Sequence, residues 1–89
     1  MSVPVDIGGL VVYLKPGWFE AVRGVLQRWP GVDIAAADPA GKLVLVVEAA
    51  GDGALADVIE RLQALDGVLQ VALAYHHRES SEALDEVLE

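Results

Sequence analysis

The order in which hydrophobic periods change along this chain constrains its fold more than any other feature. Four apolar runs have strand length: "GGLVVYL", "VDIAAAD", "KLVLVVEAA" and "GVLQVALAYHH". After the first and third of them the period changes to that of a helix. In "KPGWFEAVRGVLQRWPG", Pro16 suits a first helical turn, and Trp18, Val22, Val25, Leu26 and Trp29 form one apolar stripe. Pro30 and Gly31 stop that helix, and Gly24 inside it is expected to allow close approach to a sheet. In "GALADVIERLQALDG", Asp52 is the candidate N-cap and Leu55, Val58, Ile59, Leu62 and Leu65 form the buried stripe. Pro39 and Gly41 make a tight turn between the second and third strands. The order is therefore β-α-β-β-α-β with short connections. This predicts an α+β, ferredoxin-like βαββαβ domain: a four-stranded antiparallel sheet with two helices on one face.

The chain has 89 residues, enough for one domain that buries roughly 60–65% of its unfolded surface. The domain is expected over 8–77, with an N-terminal segment 1–7 and an acidic tail 78–89. The tail either forms a loose helix with Leu84, Val87 and Leu88 on one side or stays disordered. Without cysteine there are no disulfides, thiolate metal sites or thiol catalysis. "MSVPVDIGG" lacks a basic region before an apolar run, and no run approaches the length of a membrane span, so a cytoplasmic protein without membrane insertion is expected.

Polar residues set the parity of the strands, because strand side chains alternate between faces. Glu48 is costly to bury, so it points away from the helices together with Val44 and Val46, leaving Leu43, Leu45 and Val47 for the core. Tyr13 can keep its hydroxyl wet beside Gly9 and Val11, with Leu10, Val12 and Leu14 inward. Asp33 goes outward with Ala35 and Ala37. On the fourth strand, Gln70, Ala72, Ala74 and His76 are expected outward, and Leu69, Val71, Leu73 and Tyr75 inward. The open face is then smooth, shallow and mostly aliphatic, with Asp33, Glu48 and His76 towards its rim. Exposed apolar patches of several hundred Å² on a soluble monomer mark interaction sites, and this face is expected to be of that order. A partner's helix or a second copy of the chain would each cover it, so a monomer or weak dimer is expected.

Reaction chemistry finds little support. The serines, Ser2, Ser80 and Ser81, all lie near the termini, and there is no threonine or asparagine. None sits on a rigid element beside a histidine, so no catalytic residue is assigned. Gly8-Gly9 is too little for a phosphate-cradling loop. His76 and His77 are adjacent on a strand and point to opposite faces, so no metal site is assigned. The formal net charge of −8 opposes nucleic-acid backbones and anionic lipid, and favours basic partners.

Three segments, "GGLVVYLKPG", "PGVDIAAADPAGKLVLVVEA" and "LDGVLQVALAYHHRE", together resemble the NapD family, small cytoplasmic chaperones for the catalytic subunit of the periplasmic nitrate reductase. The resemblance runs from the first strand to the fourth. It implies a ferredoxin-like fold and a maturation role: binding the twin-arginine signal peptide of the reductase precursor and preventing export before the molybdenum cofactor is inserted. It implies no enzyme activity and no cofactor of the chaperone's own. The peptide would lie as a helix over the open face, on Gly9, Val11, Tyr13, Val44, Val46, Glu48, Gln70, Ala72, Ala74 and His76. Two positions depart from the pattern: Gly9 stands where serine is expected, and Ala74 where a larger aliphatic residue is expected. Both are expected to make the face shallower. The alternative is a regulatory domain that dimerises through its sheet and binds a small metabolite; few convergent polar groups are available for such a site.

Overall fold

The computed structural model describes residues 5–51 and 53–79. Its elements are β1 (Val5–Leu14), α1 (Phe19–Leu26), β2 (Val32–Asp38), β3 (Lys42–Ala50), α2 (Ala54–Gln63) and β4 (Val68–Glu79). The strands form one antiparallel sheet in the order β2-β3-β1-β4, the expected ferredoxin-like arrangement. The first and last strands in the chain run further than expected, since β1 begins at Val5 and β4 continues to Glu79.

The core is built from alternate strand positions and the inner stripes of the helices. Leu10, Val12, Leu14, Leu43, Leu45 and Val47 are buried on the helix side of the sheet, with Val22 and Leu26 of α1 and Leu55 and Leu62 of α2 packed onto them. The predicted parity of β1 and β3 is therefore the observed one. Burying a leucine side chain fully contributes about 2 kcal/mol, and Leu10, Leu26, Leu43, Leu45 and Leu62 are each fully enclosed.

The turns have identifiable causes. Asp38 Oδ1 accepts the N–H of Ala40 at 3.0 Å while its carbonyl accepts Gly41 N–H at 2.9 Å, which closes the β2–β3 hairpin. After α1, Gly31 takes φ +76°, and a Cβ there would lie 2.5 Å from the Glu48 carbonyl oxygen. Only glycine brings the backbone that close to β3, where Glu48 N–H donates to Gly31 O at 2.8 Å. Gly67, at φ +90°, gives the face of Trp18 a place to rest against the backbone before β4.

Several helix details differ from expectation. Trp18 is not a core residue: it is the N-cap of α1, 40% exposed, and packs on Gly67. Val25, expected on the buried stripe, is also largely exposed. Gly24 does not mediate approach to the sheet, because its missing Cβ would point into open space. α1 spans only Phe19–Leu26, so Trp18 falls at its N-cap, and it is Phe19 that packs against the core. Asp52 and the tail's Leu84, Val87 and Leu88 lie outside the described residues; Gly53 occupies the N-cap of α2, with no side-chain cap.

Candidate peptide-binding face

Residues that pair across antiparallel strands share a face, so the pairing assembles the open side row by row. In the order β2, β3, β1, β4, one row reads Asp38, Lys42, Tyr13, Gln70. The next reads Ala36, Val44, Val11, Ala72, and the third reads Asp33, Val46, Gly9, Tyr75. Beyond it, Ile7 pairs with Glu48 on one side and His77 on the other. The two middle rows make an apolar floor. Tyr13 and Tyr75, 39% and 51% exposed, stand at its two ends.

Gly9, Val11, Tyr13, Val44, Val46, Glu48, Gln70 and Ala72 thus lie together on the open face, as the sequence pattern predicts. Ala74 and His76 do not take their expected places. Between Gly9 and Leu10 the register of β4 shifts: Leu73 faces Leu10 and Tyr75 faces Gly9, which leaves Ala74 unpaired in a bulge. One extra residue inverts the parity of everything after it. Tyr75, expected in the core, therefore lies on the open face, and His76 pairs with Gly8 on the helix side.

The same effect occurs twice more. Leu69 is left unpaired between Gln70 and Val68 and is 61% exposed, while Val68 packs against the core in its place. In β2, Ala35 is the unpaired residue, so Ala36 shares the open row with Val44 and Ala37 pairs with Leu43 on the other side. The expectation that Ala35 and Ala37 line the open face is corrected accordingly.

Gly9 also acts differently from the expectation. A Cβ at Gly9 would lie 2.9 Å from Tyr75 Cζ and closer still to two other ring carbons. The absent side chain does not simply leave the face shallow; it makes room for an aromatic ring laid across the strand.

On the helix side, the inverted end of β4 forms a polar cluster that sequence reasoning missed. Asp6 on β1 is buried, 3% exposed. Arg78 donates to it through Nε at 2.8 Å and Nη2 at 3.1 Å, a two-pronged pair, and His76 Nε2 lies 3.1 Å from Oδ1. The hydrogen bonds from Arg78, then that with His76, lower the Asp6 carboxyl from 3.8 to about 2 against the opposing effect of burial. The cluster borders a cavity of about 240 Å³ that Leu55, Ala56 and Ile59 of α2 also line. The signal for it was available: Asp6 has the inward parity of Leu10 and Val12, and a buried carboxylate must find partners.

Among the described residues, the open face carries aliphatic groups, two phenols, an amide, the His77 imidazole and the carboxylates of Asp33, Asp38 and Glu48, with Lys42 in the row of Asp38. His77 pairs with Ile7 on that face while His76 pairs with Gly8 on the opposite one, so the two imidazoles do not converge. Among the described residues, no group of three or more His, Asp or Glu is placed to hold a metal ion, and no helix is long and apolar enough to cross a membrane. The arrangement is suited to binding an elongated, partly apolar and basic surface.

Comparison with known proteins agrees with this architecture. The family model described as NapD protein matches residues 5–80. The chain is 38% identical over 75 residues to chaperone NapD of Escherichia coli strain K12, covering 83% of this chain and 86% of that protein. Chaperone NapD of Shigella flexneri matches to the same extent. The solution structure of the E. coli Tat proofreading chaperone protein NapD superimposes with a TM-score of 0.73 at 36% identity, covering 84% of this chain and 80% of that one. Each of these relatives is named as a chaperone. With a family model spanning nearly the whole sequence and a relative this similar, the chain belongs to the NapD family.

Proposed function

We propose that this protein is a cytoplasmic proofreading chaperone that binds the twin-arginine signal peptide of a periplasmic nitrate reductase precursor on its open sheet face. Binding there withholds the precursor from export until its molybdenum cofactor is in place. The observation that carries the reading is the pairing of an apolar floor with an acidic side. Val11, Val44, Val46, Ala36 and Ala72 form the floor, and Asp33, Asp38 and Glu48 all lie on the two strands at one side of it. An amphipathic helix buries its apolar stripe on such a floor, the helix-in-groove mode of peptide recognition. Its arginines then meet carboxylates, and the net charge of −8 steers a basic peptide towards the surface. The E. coli relative's description as a Tat proofreading chaperone supports the same reading.

Calorimetric titration tests it. The purified protein is titrated with the signal peptide of the host's nitrate reductase and with a control in which both arginines and the apolar stripe are replaced. Saturable binding of the first peptide alone is the expected result. Equal or absent binding of both contradicts the reading, and a stable dimer in the same solution would assign the sheet face to self-association.

A further inference from the structure

The bulge at Ala74 has a specific consequence for what the open face recognises. It turns Tyr75 out of the core and lays its ring across Gly9, in contact with the backbone of β1 and half exposed. Strands are about 4.8 Å apart, so the ring lies two strand spacings, about 10 Å, from the Asp33 position in its own row. Glu48 is the diagonal neighbour of both Gly9 and Asp33 across the antiparallel pairs, a separation of about 7–8 Å between backbones. An aromatic face, lying across the strand beneath it, thus stands at the end of the apolar floor that carries Asp33 and Glu48.

We propose that the Tyr75 ring is the stacking platform for an arginine guanidinium of the bound peptide, with Glu48 and Asp33 as its counter-ions. This rests on the peptide-chaperone reading and deepens it by naming the residue that tells arginine from lysine. A guanidinium is planar and weakly hydrated, so it can lie flat on the ring while its edge donates to a carboxylate. An ammonium is a strongly hydrated point charge and gains less from the same surface. Charge alone would accept both cations, whereas the ring discriminates between them. Gly9 is part of the device, because any side chain there would occupy the space of the ring.

The test is a double-mutant cycle by calorimetry on the full chain. The peptides are the host reductase's signal peptide and the same peptide with both arginines changed to lysine. Wild-type protein is expected to bind the arginine peptide about three- to tenfold more tightly than the lysine peptide. Tyr75→Phe keeps that ratio. Tyr75→Leu binds the arginine peptide less tightly and lowers the ratio to about twofold or less. Circular dichroism confirms that both variants are folded. If Tyr75→Leu preserves the wild-type ratio, the platform is overturned while the peptide reading stands. If wild-type protein fails to bind the arginine peptide, the peptide reading falls and takes the platform with it.

Discussion

Tyr75 lies over Gly9, a contact made across two neighbouring strands because β4 carries one residue more than β1 between paired positions. The ring is half exposed and can swing away, so crowding it costs little stability. Gly9→Ala is expected to lower unfolding stability by less than about 1 kcal/mol, as measured by urea denaturation. The same variant is expected to weaken peptide binding in calorimetry to the extent that Tyr75→Leu does. A Gly9→Ala protein with unchanged affinity would remove the ring position from the account of binding.

Alternate residues of β3 separate folding from binding. Leu45 is fully buried beneath the helices, and Leu45→Ala is expected to cost about 2–5 kcal/mol in denaturant unfolding. Its neighbour Val46 is only partly covered on the opposite face. Val46→Ala is expected to cost less than about 1 kcal/mol in stability while weakening the peptide complex.

Asp6 gives the fold an acid-sensitive staple. Its carboxyl is lowered from 3.8 to about 2 by Arg78 and then His76, so the folded state holds it ionised more firmly than the unfolded chain does. That contribution is fully present above the unfolded value near 4 and is lost as pH falls through about 2. Asp6→Asn is therefore expected to be less stable than wild type at pH 7, with the difference narrowing between pH values of about 4 and about 2. Urea midpoints of the two proteins across that range measure it; a constant difference would contradict the assignment.

The acidic side of the open face should be visible in the salt dependence of binding. Glu48→Gln and Asp33→Asn are each expected to weaken the peptide complex about two- to fivefold at low ionic strength, the size of exposed charge pairs. Both variants should flatten the dependence of affinity on added salt, because screening acts on the charges they remove. Unchanged affinity in Glu48→Gln would exclude this carboxylate as an arginine partner.

The parts of this structure that were legible in the sequence are those where the period runs unbroken. Leu43, Leu45 and Val47 alternate with Val44, Val46 and Glu48, and the single carboxylate settles which set faces out. β1 reads the same way from Leu10 onward. The bulges were not legible, because the extra residues, Ala35, Leu69 and Ala74, are apolar residues in mostly apolar runs, and the sequence pattern fixes register only where a polar residue marks a face. The slip at Ala74 exchanged the faces of Tyr75 and His76, the two residues of β4 with the most distinctive chemistry. The inward parity of Asp6 was readable, but its partners were not: they stand 70 and 72 positions away, and only the pairing of the first strand with the last unites them.

The most direct measurement is a nuclear magnetic resonance titration of isotope-labelled protein with the host reductase's signal peptide, following backbone amide shifts. Binding on the open sheet face predicts the largest changes at Gly9, Val11, Val44, Val46, Ala72 and Tyr75, with Ala21, Val25 and Ile59 on the helix side little affected. Changes concentrated on α1 and α2 instead, or no saturable change at all, would contradict the account.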